Sequence, residues 1–167
     1  SDRMIRRRGF LLITVLLLLT ILLVLCGAYL RSQANYYRAA RFSSWKAGAR
    51  QLALSGLEDV RVKLLKDYQY PPLSLTQQRF SYVENVRDAS GALVGTYRVT
   101  LQGHYSEKPY SLLYVQCEGH LGPPEQPLAS HTVTALCELS RLRRDASGLP
   151  NPKLFRWVQV RDRDWKY

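Results

Sequence analysis

The chain has 167 residues, with 24 Lys or Arg against 13 Asp or Glu and a net charge of +11. One long apolar run near the start leaves room for a single small globular domain, which excludes a multidomain architecture. Four arginines and one aspartate precede Phe10, so the remainder still carries +8, a basic surface suited to anionic partners such as nucleic acid, anionic lipid or glycans.

A short basic leader, residues 1–9, contains Arg3, Arg6, Arg7 and Arg8 and ends at Gly9. From Phe10 to Leu30 no residue is charged and most are Leu, Ile or Val. At helical rise this stretch reaches roughly 30 Å, the thickness of a bilayer's hydrocarbon core, and predicts a transmembrane helix over 10–30. Arg31, Arg38 and Arg41 follow on the far side. The compact leader cluster, together with two cysteines beyond the span, favours the N-terminus inside and the domain outside.

A secretory signal places its small-residue cleavage site after the apolar region. Here Gly9 precedes it, so cleavage after Gly9 leaves the apolar segment on the mature chain. Arg8-Gly9-Phe10-Leu11-Leu12-Ile13 resembles the leader of the type IV pilin and type II secretion pseudopilin family. The resemblance implies a prepilin peptidase that cuts between Gly9 and Phe10, and methylation of the new N-terminal Phe10. Most members carry a glutamate at the fifth mature position, where it meets a neighbouring subunit's N-terminal ammonium. Counted from Phe10, that position is Thr14, a departure similar to X-type minor pilins and K-type tip pseudopilins.

No proline lies between Gly9 and Tyr70, so the helix is expected to continue as an extramembrane amphipathic segment over 31–70, ended by Pro71-Pro72. Leu52, Ala53, Leu57, Val60 and Leu64 recur at three- and four-residue spacing and form its apolar stripe. Gly56 interrupts good helix formers and implies close packing against a sheet. The segment Leu52–Glu58 is similar to an Ala-x-Ala-Gly-Leu-Glu stretch of the same minor pilins. Tyr29, Tyr36, Tyr37, Phe42 and Trp45 cluster just beyond the span, suited either to the membrane interface or to a filament interface.

Beyond Leu73 the periodicity becomes twofold, and residues 73–167 are expected to form an exported antiparallel sheet of four to five strands. The strands fall at Arg79–Arg87, Val94–Tyr105, Tyr110–Cys117, His131–Leu139 and Phe155–Val160. Asp88-Ala89-Ser90-Gly91 reads as the first hairpin turn, and Asp145-Ala146-Ser147-Gly148 repeats its chemistry. Lys108-Pro109 breaks the second and third strands apart, and Gly119–Pro127 reads as a loop. The predicted fold is α+β, a long helix packed on an antiparallel meander, as in pilins.

An even pair of cysteines in an oxidising compartment predicts a disulfide between Cys117 and Cys137. A zinc site with His120 and His131, or two free thiols, are the alternatives. No phosphate-binding loop, metalloprotease motif or nucleophile elbow occurs, His104 reads as a surface residue, and no cofactor, metal site or catalytic residue is expected. The K-type relatives carry a calcium site for which no acidic cluster is seen here. Lys153–Tyr167 mixes bases with aromatics, a combination that binds single-stranded nucleic acid. Asp162 and Asp164 beside Arg161 and Arg163 read more simply as an edge strand defended by charge.

The sequence therefore points to a minor type IV pilin-like subunit that primes or caps a filament in the bacterial inner membrane and pilus. A type II secretion tip pseudopilin and a bitopic membrane protein binding an anionic ligand such as DNA are the rival readings. The partners implied are other minor and major pilins, the inner-membrane assembly machinery, the prepilin peptidase and the membrane.

Overall fold

One α-helix, α1 (Asp2–Lys66), opens the chain. Five strands follow: β1 (Arg79–Arg87), β2 (Leu93–Tyr105), β3 (Leu112–Leu121), β4 (Ala129–Glu138) and β5 (Trp157–Asp162). The computed structural model describes residues 2–67, 69–72, 78–105, 111–143, 145 and 147–162, with side chains described from Phe10 onward except at 104 and 105. The chain divides into two compact units, Ser1–Ser43 and Ser44–Tyr167.

Among the described residues, the first unit is helix alone. Every residue from Phe10 to Cys26 is exposed, and this is a helix long and apolar enough to cross a membrane.

In the second unit the strands pair antiparallel in sequence order, β1-β2-β3-β4-β5. The remainder of α1 packs on one face of this sheet. Ala49, Leu52, Ala53, Leu57, Val60 and Leu64 are all buried, matching the predicted stripe and adding Ala49 to it. Opposite them lie Tyr97, Val99 and Leu101 of β2, Leu113, Val115 and Cys117 of β3, and Val133, Ala135 and Cys137 of β4. Each large apolar side chain so covered contributes roughly 1.5–3 kcal/mol. Strand residues alternate between this face and a polar outer face, where Thr96, Thr100 and Thr134 are buried by their neighbours.

Several boundaries differ from the sequence reading; β2 and β4 begin one and two residues early, at Leu93 and Ala129, β4 ends one residue early at Glu138, and β5 runs on to Asp162. The helix stops at Lys66 and not at residue 70: the Asp67 carboxylate accepts the Gln69 amide at 2.9 Å, and this local turn competes with helical bonding before Pro71 is reached. Strand β3 begins at Leu112 and runs through Gly119 and His120 to Leu121, where a loop was expected. Strand β5 starts after Phe155, which takes φ 59° in the preceding turn. Strand β1 has the predicted bounds. The two Asp-Ala-Ser-Gly segments share their chemistry: Asp88 and Asp145 each accept from the amide and hydroxyl of the serine two residues on. Lys108-Pro109, the His104 side chain and residues 163–167 lie outside the described residues.

Candidate functional site

The predicted processing pair, Gly9 and Phe10, lies within α1, and Phe10 is exposed. One turn further on, the Thr14 hydroxyl donates back to its own helix, 3.0 Å from the Phe10 carbonyl oxygen and 2.9 Å from that of Leu11. Thr20 does the same toward Leu17 at 2.8 Å. A threonine can thus sit in an apolar helix because the backbone one turn back takes its only proton. The span presents no carboxylate at all from Phe10 to Leu30.

In the second unit, small residues allow α1 to lie on the sheet. A β-carbon on Gly119 would collide with the Ala49 carbonyl oxygen and stand 2.6 Å from the Ala53 amide nitrogen. One on Gly95 would stand 2.6 Å from Leu52, and one on Gly56 would press on Tyr97 and on the Cys117 sulfur at 3.0 and 3.3 Å. The helix backbone can approach β2 and β3 this closely only because these positions carry no side chain.

Polar clasps hold α1 at both margins of the sheet. On the β1 side, Tyr82 donates to Asp59 at 2.7 Å, while Lys63 reaches Asp59 at 2.7 Å and Glu84 at 3.2 Å and sits over the Tyr82 ring. Burial and the nearby Asp59 carboxylate push the Tyr97 hydroxyl up to about 12. On the β5 side, Arg50 Nε donates to Asp162 Oδ2 at 2.6 Å, and the Asp162 Oδ1–His131 Nε2 distance is 2.5 Å. Burial alone would raise the Asp162 carboxyl, but the bonds from Arg50 and His131 outweigh it and hold Asp162 below its ordinary value. Glu58 and Arg61, three residues apart on the helix, pair at 3.4 Å at the exposed surface.

The predicted disulfide does not form. Cys117 and Cys137 lie on neighbouring strands and share the inward face, but Cys117 stands opposite Val133 and Cys137 opposite Leu113. Four residues of strand separate them, about 13 Å along the sheet, whereas a bridge needs α-carbons within about 7 Å. They are two separate buried thiols, each pushed up to about 12, chiefly by burial. Nor do His120 and His131 join them: among the described residues no three His, Cys, Asp or Glu side chains gather as a metal site, and the His131 ring is engaged with Asp162.

Among the clefts lined by described residues are two on the second unit. One, of about 320 Å³, is lined by Glu138, Arg143, Asp145, Asn151, Pro152 and Lys153. The other, of about 350 Å³, lies on the outer face among Arg79, Ser81, Arg98, Thr100 and Glu118. The arrangement as a whole holds a helix on a sheet and leaves that helix's apolar first part uncovered.

Comparison with protein-family models, with curated proteins and with solved structures gave no match. The features that sequence reasoning missed are Gly95, Gly119 and the Arg50–Asp162–His131 cluster. A glycine inside an alternating strand was the available signal for the first two.

Proposed function

We propose that this chain is a structural subunit of a pilin-like filament, a minor type IV pilin-like protein that primes assembly or caps the end. On this reading the leader is cut after Gly9, the helix from Phe10 anchors the chain in the inner membrane, and the sheet domain stands on the periplasmic side. Its partners are other pilins and the assembly machinery, and one long helix packed on an antiparallel meander supports the reading.

The observation that carries the reading is the state of Thr14. A stacked subunit brings an N-terminal ammonium against the apolar helices already in place, and a buried ammonium is costly without a counter-charge. Thr14 supplies none: a hydroxyl carries no charge, and its one proton is directed to its own helix backbone. A subunit of this kind suits an end position, where no further N-terminus needs neutralising.

Mass spectrometry of the mature chain tests the reading. The expected N-terminus is Phe10, and Gly9→Val is expected to block processing. A native chain that retains residues before Phe10 would overturn the leader assignment. Quantitative labelling of filaments should find one or a few copies at an end, and loss of the protein should lower filament number more than filament length. Labelling along the whole shaft would overturn the end position.

A further inference from the structure

We propose that the part of α1 directly beyond the apolar span is a binding surface for anionic phospholipid, with Arg31 and Arg38 reaching back to the phosphates, Arg41 within their field, and Tyr36 and Tyr37 at the headgroup margin. The inference rests on Phe10–Leu30 being a membrane span and is independent of the filament reading.

Sign bias is the first observation. No acidic residue occurs between Asp2 and Glu58, while Arg31, Arg38, Arg41, Lys46 and Arg50 all do. A solvated helix face ordinarily intersperses both signs. The same helix does so once it lies on the sheet, with Glu58, Asp59, Arg61, Lys63 and Lys66. The one-sign stretch therefore runs from the span to Arg50, whose charge is already met by Asp162 of the sheet.

Position is the second. Arg31 follows the span directly, and Arg41 lies about 15 Å further along the helix. The headgroup layer is about 5–8 Å deep, and the field of an anionic surface reaches about 8 Å beyond it at physiological salt. Arg31 thus lies in the headgroup layer, and Arg38 and Arg41 lie within the field of the lipid phosphates.

Exposure is the third. Tyr36 is 70% exposed, Tyr37 76% and Phe42 59%, and Arg31, Arg38 and Arg41 are exposed alongside them. Arg31 and Arg38 are seven residues apart and share one side of the helix, while Tyr29 and Tyr36 share another. A helix that crosses an interface is surrounded by headgroups, so both sides meet lipid at once. Tyr36 and Tyr37, about 9–10 Å past the span, lie at the outer margin of the headgroup layer, where tyrosine is favoured. Charge complementarity at a fixed depth selects anionic over zwitterionic lipid.

The test uses the full chain in nanodiscs of equal phosphatidylglycerol and phosphatidylcholine, with Arg3, Arg6, Arg7 and Arg8 all changed to Gln so that only the far side of the span is read. Native mass spectrometry of co-purifying lipid should show phosphatidylglycerol enriched about threefold or more. The added triple change Arg31→Gln, Arg38→Gln, Arg41→Gln should abolish the enrichment, whereas Arg61→Gln with Lys66→Gln should leave it intact. Equal lipid retention in the parent and the triple variant would overturn the proposal alone. Release of the parent chain by carbonate from vesicles of either lipid would overturn the span, and the proposal with it.

Discussion

Gly119 of β3 lies directly beneath Ala49 of α1, so close that a β-carbon on the glycine would overlap the alanine's carbonyl oxygen. Because both atoms in that overlap belong to, or are fixed by, backbone, neither can swing aside. Gly119→Ala should therefore lift the helix off the sheet and destabilise the second unit by at least about 1–3 kcal/mol, the range for overpacking a tight core. Gly103→Ala is the control: nothing lies within 4 Å of the position a β-carbon would take there, and its effect should stay within about 0.5 kcal/mol. Urea unfolding of the detergent-solubilised chain, followed by tryptophan fluorescence, gives both numbers. Equal stability of the two variants would contradict the close approach.

Asp162 gives the fold a pH signature. Its carboxyl is held below the ordinary range by Arg50 and His131 against the opposing effect of burial. A carboxyl lowered on folding favours the folded state above its unfolded value of about 4, and that contribution is lost as pH falls through the folded value. Asp162→Asn should cost about 1–3 kcal/mol at neutral pH. The gap between parent and variant should narrow steadily below pH 4. A gap of unchanged size at pH 2 would show that the loss came from packing and not from charge.

The two inward thiols make an opposite prediction. Burial raises both to about 12 from an ordinary value of 9.0. A raised acid favours the folded state below its unfolded value, so stability should fall as pH rises from about 9 toward 12. In the folded protein at pH 8, iodoacetamide should leave Cys117 and Cys137 unmodified, and urea should expose both together. Peptide mapping without reductant should show no linked pair. Recovery of a Cys117–Cys137 peptide would mean a register four residues away from the one described here.

If the chain is a filament subunit as proposed, Thr14 is the position that should distinguish an end subunit from a shaft subunit. Thr14→Val removes a hydroxyl that bonds only its own helix backbone, and should leave incorporation into filaments unchanged. Thr14→Glu supplies the missing counter-charge and should raise copy number several-fold, with molecules appearing along the shaft. Immunogold labelling reads both outcomes. A strong loss of incorporation in Thr14→Val would assign the hydroxyl a partner outside its own chain.

Much of this architecture is legible in the sequence because two periodicities meet without ambiguity. The 3.6-residue stripe from Leu52 to Leu64 is buried as predicted, and β1 falls at its expected residues. What escapes the sequence is whatever depends on three-dimensional juxtaposition. Gly119 looks like loop chemistry, yet it is strand, because its missing side chain answers to a helix seventy residues earlier. Cys117 and Cys137 look like a bridge because composition and compartment allow one, while register alone forbids it. Arg50, His131 and Asp162 carry no spacing signal at all; the helix–sheet crossing brings them together. Gly56 is the intermediate case: its cost in a helix gave away a close approach, which proves to be onto Tyr97 and Cys117.

The Arg50–Asp162 clasp has a mechanical meaning. Arg50 lies near the start of the second unit and Asp162 ends its last strand, so the entry and exit of the domain are fastened to each other. β5 is a sheet edge, the strand most easily peeled away under tension. A pull arriving through the helix meets that edge at the clasp, where His131 ties the same carboxylate to β4.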